Sequence, residues 1–63
     1  MKRRAFVHRL ETLGCMLKRS GAKHDIYFNP RNGLSTTVPR HQELADTLCK
    51  TILKQLGLKN RQP

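Results

Sequence analysis

His8, His24 and His41, with Cys15 and Cys49, are the side chains of this 63-residue chain that offer the most chemistry near neutral pH. An imidazole can take or give a proton there, bind a metal, or donate to a phosphate. The spacing does not suit a metal, because the histidines are dispersed and no cysteine or carboxylate stands at ligand distance along the chain. Cys15 and Cys49 lie far apart with no CxxC pattern, as expected of two buried thiols rather than a disulfide or metal pair. No P-loop, dinucleotide fingerprint or Ser-His-Asp set is present, so no cofactor is expected. Proton transfer by a lone histidine remains. His24 is its sharpest candidate, flanked by Lys23 and Asp25 at the start of a strand-forming run. The plainer reading, and the commoner one for a lone histidine, is a surface residue touching phosphate or solvent. His41 follows Pro39 in a loop and reads as a general acid, a phosphate contact or a structural residue near the second helix. His8 falls on the polar face of the first helix and is given no role.

Charge says what such a histidine would meet. Thirteen Lys and Arg against four Asp and Glu give +9, beyond the magnitude of about 2–8 that suits a small soluble domain. Self-repulsion of that size is relieved by an anionic partner: nucleic acid, a membrane surface or an acidic protein. No run approaches the ~20 apolar residues of a spanning helix. The basic start, Met1 to Arg4, leads into an amphipathic stretch with His8, Arg9 and Glu11 rather than the apolar core of a signal peptide. A cytoplasmic, nucleic-acid-binding chain is therefore expected, with Lys18, Arg19, Lys23 and Arg40 among the candidates for phosphate contact.

Five elements must position these residues. Phe6, Val7, Leu10 and Leu13 recur at helical spacing over 3–13, and Gly14 supplies a left-handed stop. Residues 15–19 alternate as a short strand, with Cys15 and Leu17 on one face and Met16 and Lys18 on the other. Ser20-Gly21 marks a turn. Residues 24–28 form a second strand whose period of two sets His24, Ile26 and Phe28 on one face and Asp25 and Tyr27 on the other. Asn29-Pro30-Arg31-Asn32-Gly33 is the strongest turn, its Asn-Gly suited to positive φ. Residues 34–38 return as a third strand ended by Pro39. Residues 43–56 carry Leu44, Leu48, Ile52 and Leu56 every fourth position, widened by Cys49 and Leu53. Asp46 either caps this helix or sits in its first turn. Gly57 closes it and Leu58 folds back after the cap. The expectation is an α+β fold, α-β-β-β-α, with two helices on one face of a three-stranded antiparallel sheet and the other face open. It is one domain over 1–58 with a basic tail over 59–63.

The ordered set Gly21-Ala22-Lys23-His24-Asp25-Ile26-Tyr27, Val38-Pro39-Arg40-His41 and Thr47-Leu48 to Leu58, with Gly14 before it, resembles the HicA family of mRNA interferase toxins over residues 1–58. The resemblance implies a double-stranded-RNA-binding-domain-like fold. It implies ribosome-independent cleavage of mRNA as the toxin of a type II toxin–antitoxin system, and neutralisation by an acidic HicB-type antitoxin. The family's catalytic histidine stands three positions before the motif tyrosine, which is His24 here. Two places depart from the common pattern: Lys23 and Asp25 flank the histidine where Ser or Gly and a second His are frequent, and Ala45-Asp46 replaces Pro-Gly before the second helix.

For such a histidine the expected chemistry is metal-free: the RNA's own 2′-OH attacks the adjacent phosphate, a base takes the hydroxyl proton, and cations stabilise the crowded phosphorane. Lys18, Arg19, Lys23 and Arg40 are the candidate cations and His41 a further RNA contact. Tyr27, counted among the RNA-contact candidates, reads either as a base-stacking ring or as a half-buried sheet aromatic that holds the fold, the second being preferred. Asp25 either orients a neighbour or forms a solvated pair with Lys23, the second being preferred. The alternative to an enzyme is a non-catalytic RNA-binding module of the same fold.

Overall fold

The structure, a computed structural model, describes residues 1–58; the expected tail over 59–63 lies outside the described residues. Element order is α1 (Arg3–Thr12), β1 (Met16–Ser20), β2 (His24–Asn29), β3 (Leu34–Pro39) and α2 (Asp46–Gln55). The three strands form an antiparallel sheet in the order β1-β2-β3. Both helices cover one face, and a single core joins Phe6 and Leu10 of α1, Tyr27 and Val38 of the sheet, Ile52 and Leu53 of α2, and Leu56, which caps α2. Cys15 and Cys49 are buried free thiols in that core. No helix among the described residues is long and apolar enough to cross a membrane.

Both helices end as their sequences suggest. Cys15 N–H donates to Leu10 O and Gly14 N–H to Glu11 O, with Gly14 at φ 95°. Leu58 N–H donates to Leu53 O and Gly57 N–H to Lys54 O, with Gly57 at φ 70°. These paired bonds satisfy the last carbonyls and return the chain across the helix end. Leu13, expected on the apolar stripe, is instead 42% exposed, because it is the capping residue beyond the last turn.

The second helix starts three residues later than its periodicity suggests. Residues 42–44 are held extended against the N-terminus: Arg3 N–H donates to Gln42 O, Leu44 N–H to Met1 O, and Lys2 pairs with Glu43. Those bonds satisfy an otherwise open N–H of α1 and use backbone groups that a helix from Glu43 would need. Ala45 takes the N-cap position and Asp46 lies in the first turn, where its charge suits the positive end of the helix.

The sheet departs from strict alternation at one place. Register runs Met16↔Phe28 and Leu17↔Tyr27, then resumes at Arg19↔Ile26, leaving Lys18 as an extra residue in β1. Arg19 is thereby turned onto the face of Ile26 and His24. That face carries no helix. Met16 is 54% exposed there, beside the half-buried Phe28.

Candidate active site

His24 is the first residue of β2 and stands exposed on the open face, opposite Pro39, the last residue of β3. The turn before it is tight: Gly21 N–H donates to His24 O at 2.8 Å. A side chain at Gly21 would collide with that carbonyl, its Cβ falling 2.8 Å from the oxygen, so close backbone approach requires glycine here. A hollow of about 290 Å³ opens at this corner, lined by Ala22, Lys23, His24, Arg40 and His41. Four of the expected site residues thus come together. Lys18 and Arg19 are exposed on β1 outside the hollow, Arg19 by way of the bulge on the same sheet face as His24. Among the described residues no three His, Cys, Asp or Glu side chains stand close enough to hold a metal ion.

Two expectations are corrected. Tyr27 does not offer its ring to a base: it is 5% exposed on the helix-covered face and belongs to the core, so the fold-holding role is the one realised. Burial, the largest influence on it, pushes its hydroxyl pKa up. Asp25 is not a solvated partner of Lys23 either. It lies on the covered face, 9% exposed, where a carboxylate must be paired.

Its partners come from the start of α1 and from the residue after β3. Arg40 Nη2 donates to Asp25 Oδ1 at 2.6 Å and Arg40 Nε to the same oxygen at 3.0 Å. Arg3 Nη2 donates to Asp25 Oδ2 at 2.7 Å. Each guanidinium also reaches backbone beside His24: Arg40 Nη2 donates to Gly21 O at 2.6 Å and Arg3 Nε to Pro39 O at 2.8 Å. One carboxylate therefore ties the turn before His24, the strand residue opposite it and the start of α1 into one network. The Arg40 hydrogen bonds foremost, with Arg3 adding to them against the cost of burial, hold the Asp25 carboxyl below the ordinary carboxylate range. Strand alternation set Asp25 on the face of Tyr27, opposite His24; had that face been recognised as the covered one, a carboxylate there in a chain so rich in Arg would have signalled a clamp. Arg40 keeps 41% of its side chain exposed, enough to meet a ligand in the hollow from within the clamp.

A family model described as the HicA toxin of bacterial toxin–antitoxin matches residues 3–58. No curated protein and no solved structure matches the chain.

Proposed function

The chain belongs to the HicA toxin family of bacterial toxin–antitoxin systems, and from that premise we propose that it is a ribosome-independent, metal-independent endoribonuclease whose base is His24. The observation that carries this reading is the shared hollow, in which an exposed histidine, a second histidine and two cations converge on one corner of a strongly basic chain. His24 takes the proton of the 2′-OH, the 2′-oxygen forms its bond to phosphorus, and the bond to the 5′-oxygen breaks. His41, in the same hollow, returns a proton to the departing 5′-oxygen. Lys23 and the exposed side of Arg40 offset the charge that builds on the phosphoryl oxygens. The products are a 2′,3′-cyclic phosphate and a free 5′-OH, with no water consumed. In the cell the substrate is mRNA, and the family's antitoxin partner is an acidic HicB-type protein that covers the His24 corner.

Purified chain incubated with RNA, without ribosomes and with EDTA present, tests the reading. Wild type is expected to cut and leave cyclic-phosphate ends. His24→Ala is expected to cut about 10²–10⁴-fold more slowly, the usual worth of a positioned acid–base group. Cleavage that persists in His24→Ala, or that needs added magnesium, overturns the mechanism. Tight RNA binding without any wild-type cleavage would instead make this a non-catalytic RNA-binding module.

A further inference from the structure

The hollow at His24 has a larger neighbour. A second hollow, of about 650 Å³, lies between the first turns of α1 and residues 40–42. Arg40 lines both, so the two hollows meet at this residue. Lys2, Arg3, Arg4 and His8 bring donors to the larger hollow against the single carboxylate of Glu11. Arg3 is committed to Asp25 and to Pro39 O, and Lys2 lies 3.6 Å from Glu43 at an exposed site, where such a pair holds weakly. Arg4 and His8 are exposed, one turn apart on α1, and meet no hydrogen-bond or ion-pair partner among the described residues. Cations gathered in this way repel one another until an anion sits among them.

We propose that this hollow seats a second phosphodiester of the RNA strand, adjacent to the one held at His24, with Arg40 shared between the two. The proposal rests on the RNA reading of the site and names where the strand goes next. β3 is an edge strand, and Pro39 ends it. The strand passes round that end, from His24 on the open face to Arg4 on the helix-covered side. A polyanion with a charge at every backbone step suits two basic hollows joined by one arginine, and the guanidinium fork fits two phosphate oxygens.

The test uses the whole chain and 2′-O-methyl oligoribonucleotides, a dimer with one phosphodiester and an octamer, with binding read by fluorescence anisotropy at several salt concentrations. Wild type is expected to hold the octamer more tightly than the dimer. Lys2→Ala/Arg4→Ala should erase most of that advantage and lower the salt slope for the octamer by about 0.7 for each phosphate no longer neutralised. Lys50→Ala/Lys54→Ala, which removes the same charge from α2 outside both hollows, should weaken both lengths alike and keep the advantage. Equal effects of the two pairs of substitutions, or an octamer advantage intact in Lys2→Ala/Arg4→Ala, would overturn the proposal. So would unchanged RNA affinity together with failure to capture an acidic partner protein, which assigns the hollow to protein binding. Because these strands lack a 2′-OH, the result does not depend on whether the chain cleaves RNA.

Discussion

Two guanidiniums meet on the Asp25 carboxylate, and without it the half-buried Arg3 and the more exposed Arg40 would face each other as like charges without a counter-ion. Asp25→Asn keeps the shape but removes the charge, so the variant is expected to fold with a lower melting temperature at neutral pH. The pH dependence has a definite sign. The folded-state pKa of Asp25 is depressed by Arg40 and then Arg3, below the unfolded value of about 3.9. The stabilisation is therefore complete above that value and is lost as pH falls through the depressed one. Urea melts of the two proteins from about pH 6 down to about pH 2 should show a stability gap that closes in acid; a gap of constant size would remove the clamp. The grouping of His24 with Ile26 and Phe28, and of Asp25 with Tyr27 on the other face, was legible from alternation alone; which of the two faces the helices cover was not. The convergence of Arg3 and Arg40 was not, because these partners lie 22 and 15 positions from Asp25 and nothing local announces a contact made only by packing α1 against the end of β3.

The hairpin turn between β2 and β3 does a second job at the scale of elements. Asn29 Nδ2 and Asn32 Nδ2 both donate to Leu56 O, at 3.0 and 3.1 Å, so the turn caps the end of α2. Their amide oxygens meanwhile accept from Arg31 N–H and Leu34 N–H within the turn itself. Gly33 and Gly57 both have positive φ, yet they should respond differently to substitution. A Cβ on Gly33 meets nothing, whereas one on Gly57 runs into the Asn32 side chain. Gly33→Ala should cost only the left-handed backbone term, about 1–2 kcal/mol. Gly57→Ala should cost roughly 1 kcal/mol more as the Asn32 bond to Leu56 O breaks. Equal urea midpoints for the two variants would show that the turn does not hold the helix. The turn at Gly33 and the Gly57 stop were each legible from residue type, since both rest on local backbone preference, but Asn32, expected to share the positive φ, does not take one. Their mutual contact was not, nor was the bulge at Lys18, since Leu17-Lys18-Arg19 has no glycine or proline to mark it. That one extra residue decides which face Arg19 serves.

At the scale of the whole molecule, charge sets stability and binding against each other. Nine unbalanced positive charges strain a chain too small to bury a large core. The ion pairs at its N-terminus, 3.6 and 3.7 Å long and made with exposed carboxylates, offset little of that repulsion. Bound RNA would relieve it, and binding to the folded chain alone raises the melting temperature by mass action. Salt should therefore act in opposite directions on the two states. From about 0.05 M to about 0.5 M, screening weakens self-repulsion, so the free chain should melt at a higher temperature. Over the same range each phosphate contact weakens as released counterions meet a more concentrated bath, so the complex with an uncleavable octamer should melt at a lower one. The two melting temperatures are expected to converge, with the free chain rising towards the complex. A free chain that melts lower as salt rises would mean that the ion pairs at its N-terminus and the Asp25 clamp outweigh the excess positive charge, and the basic surface would then need no anion to be stable.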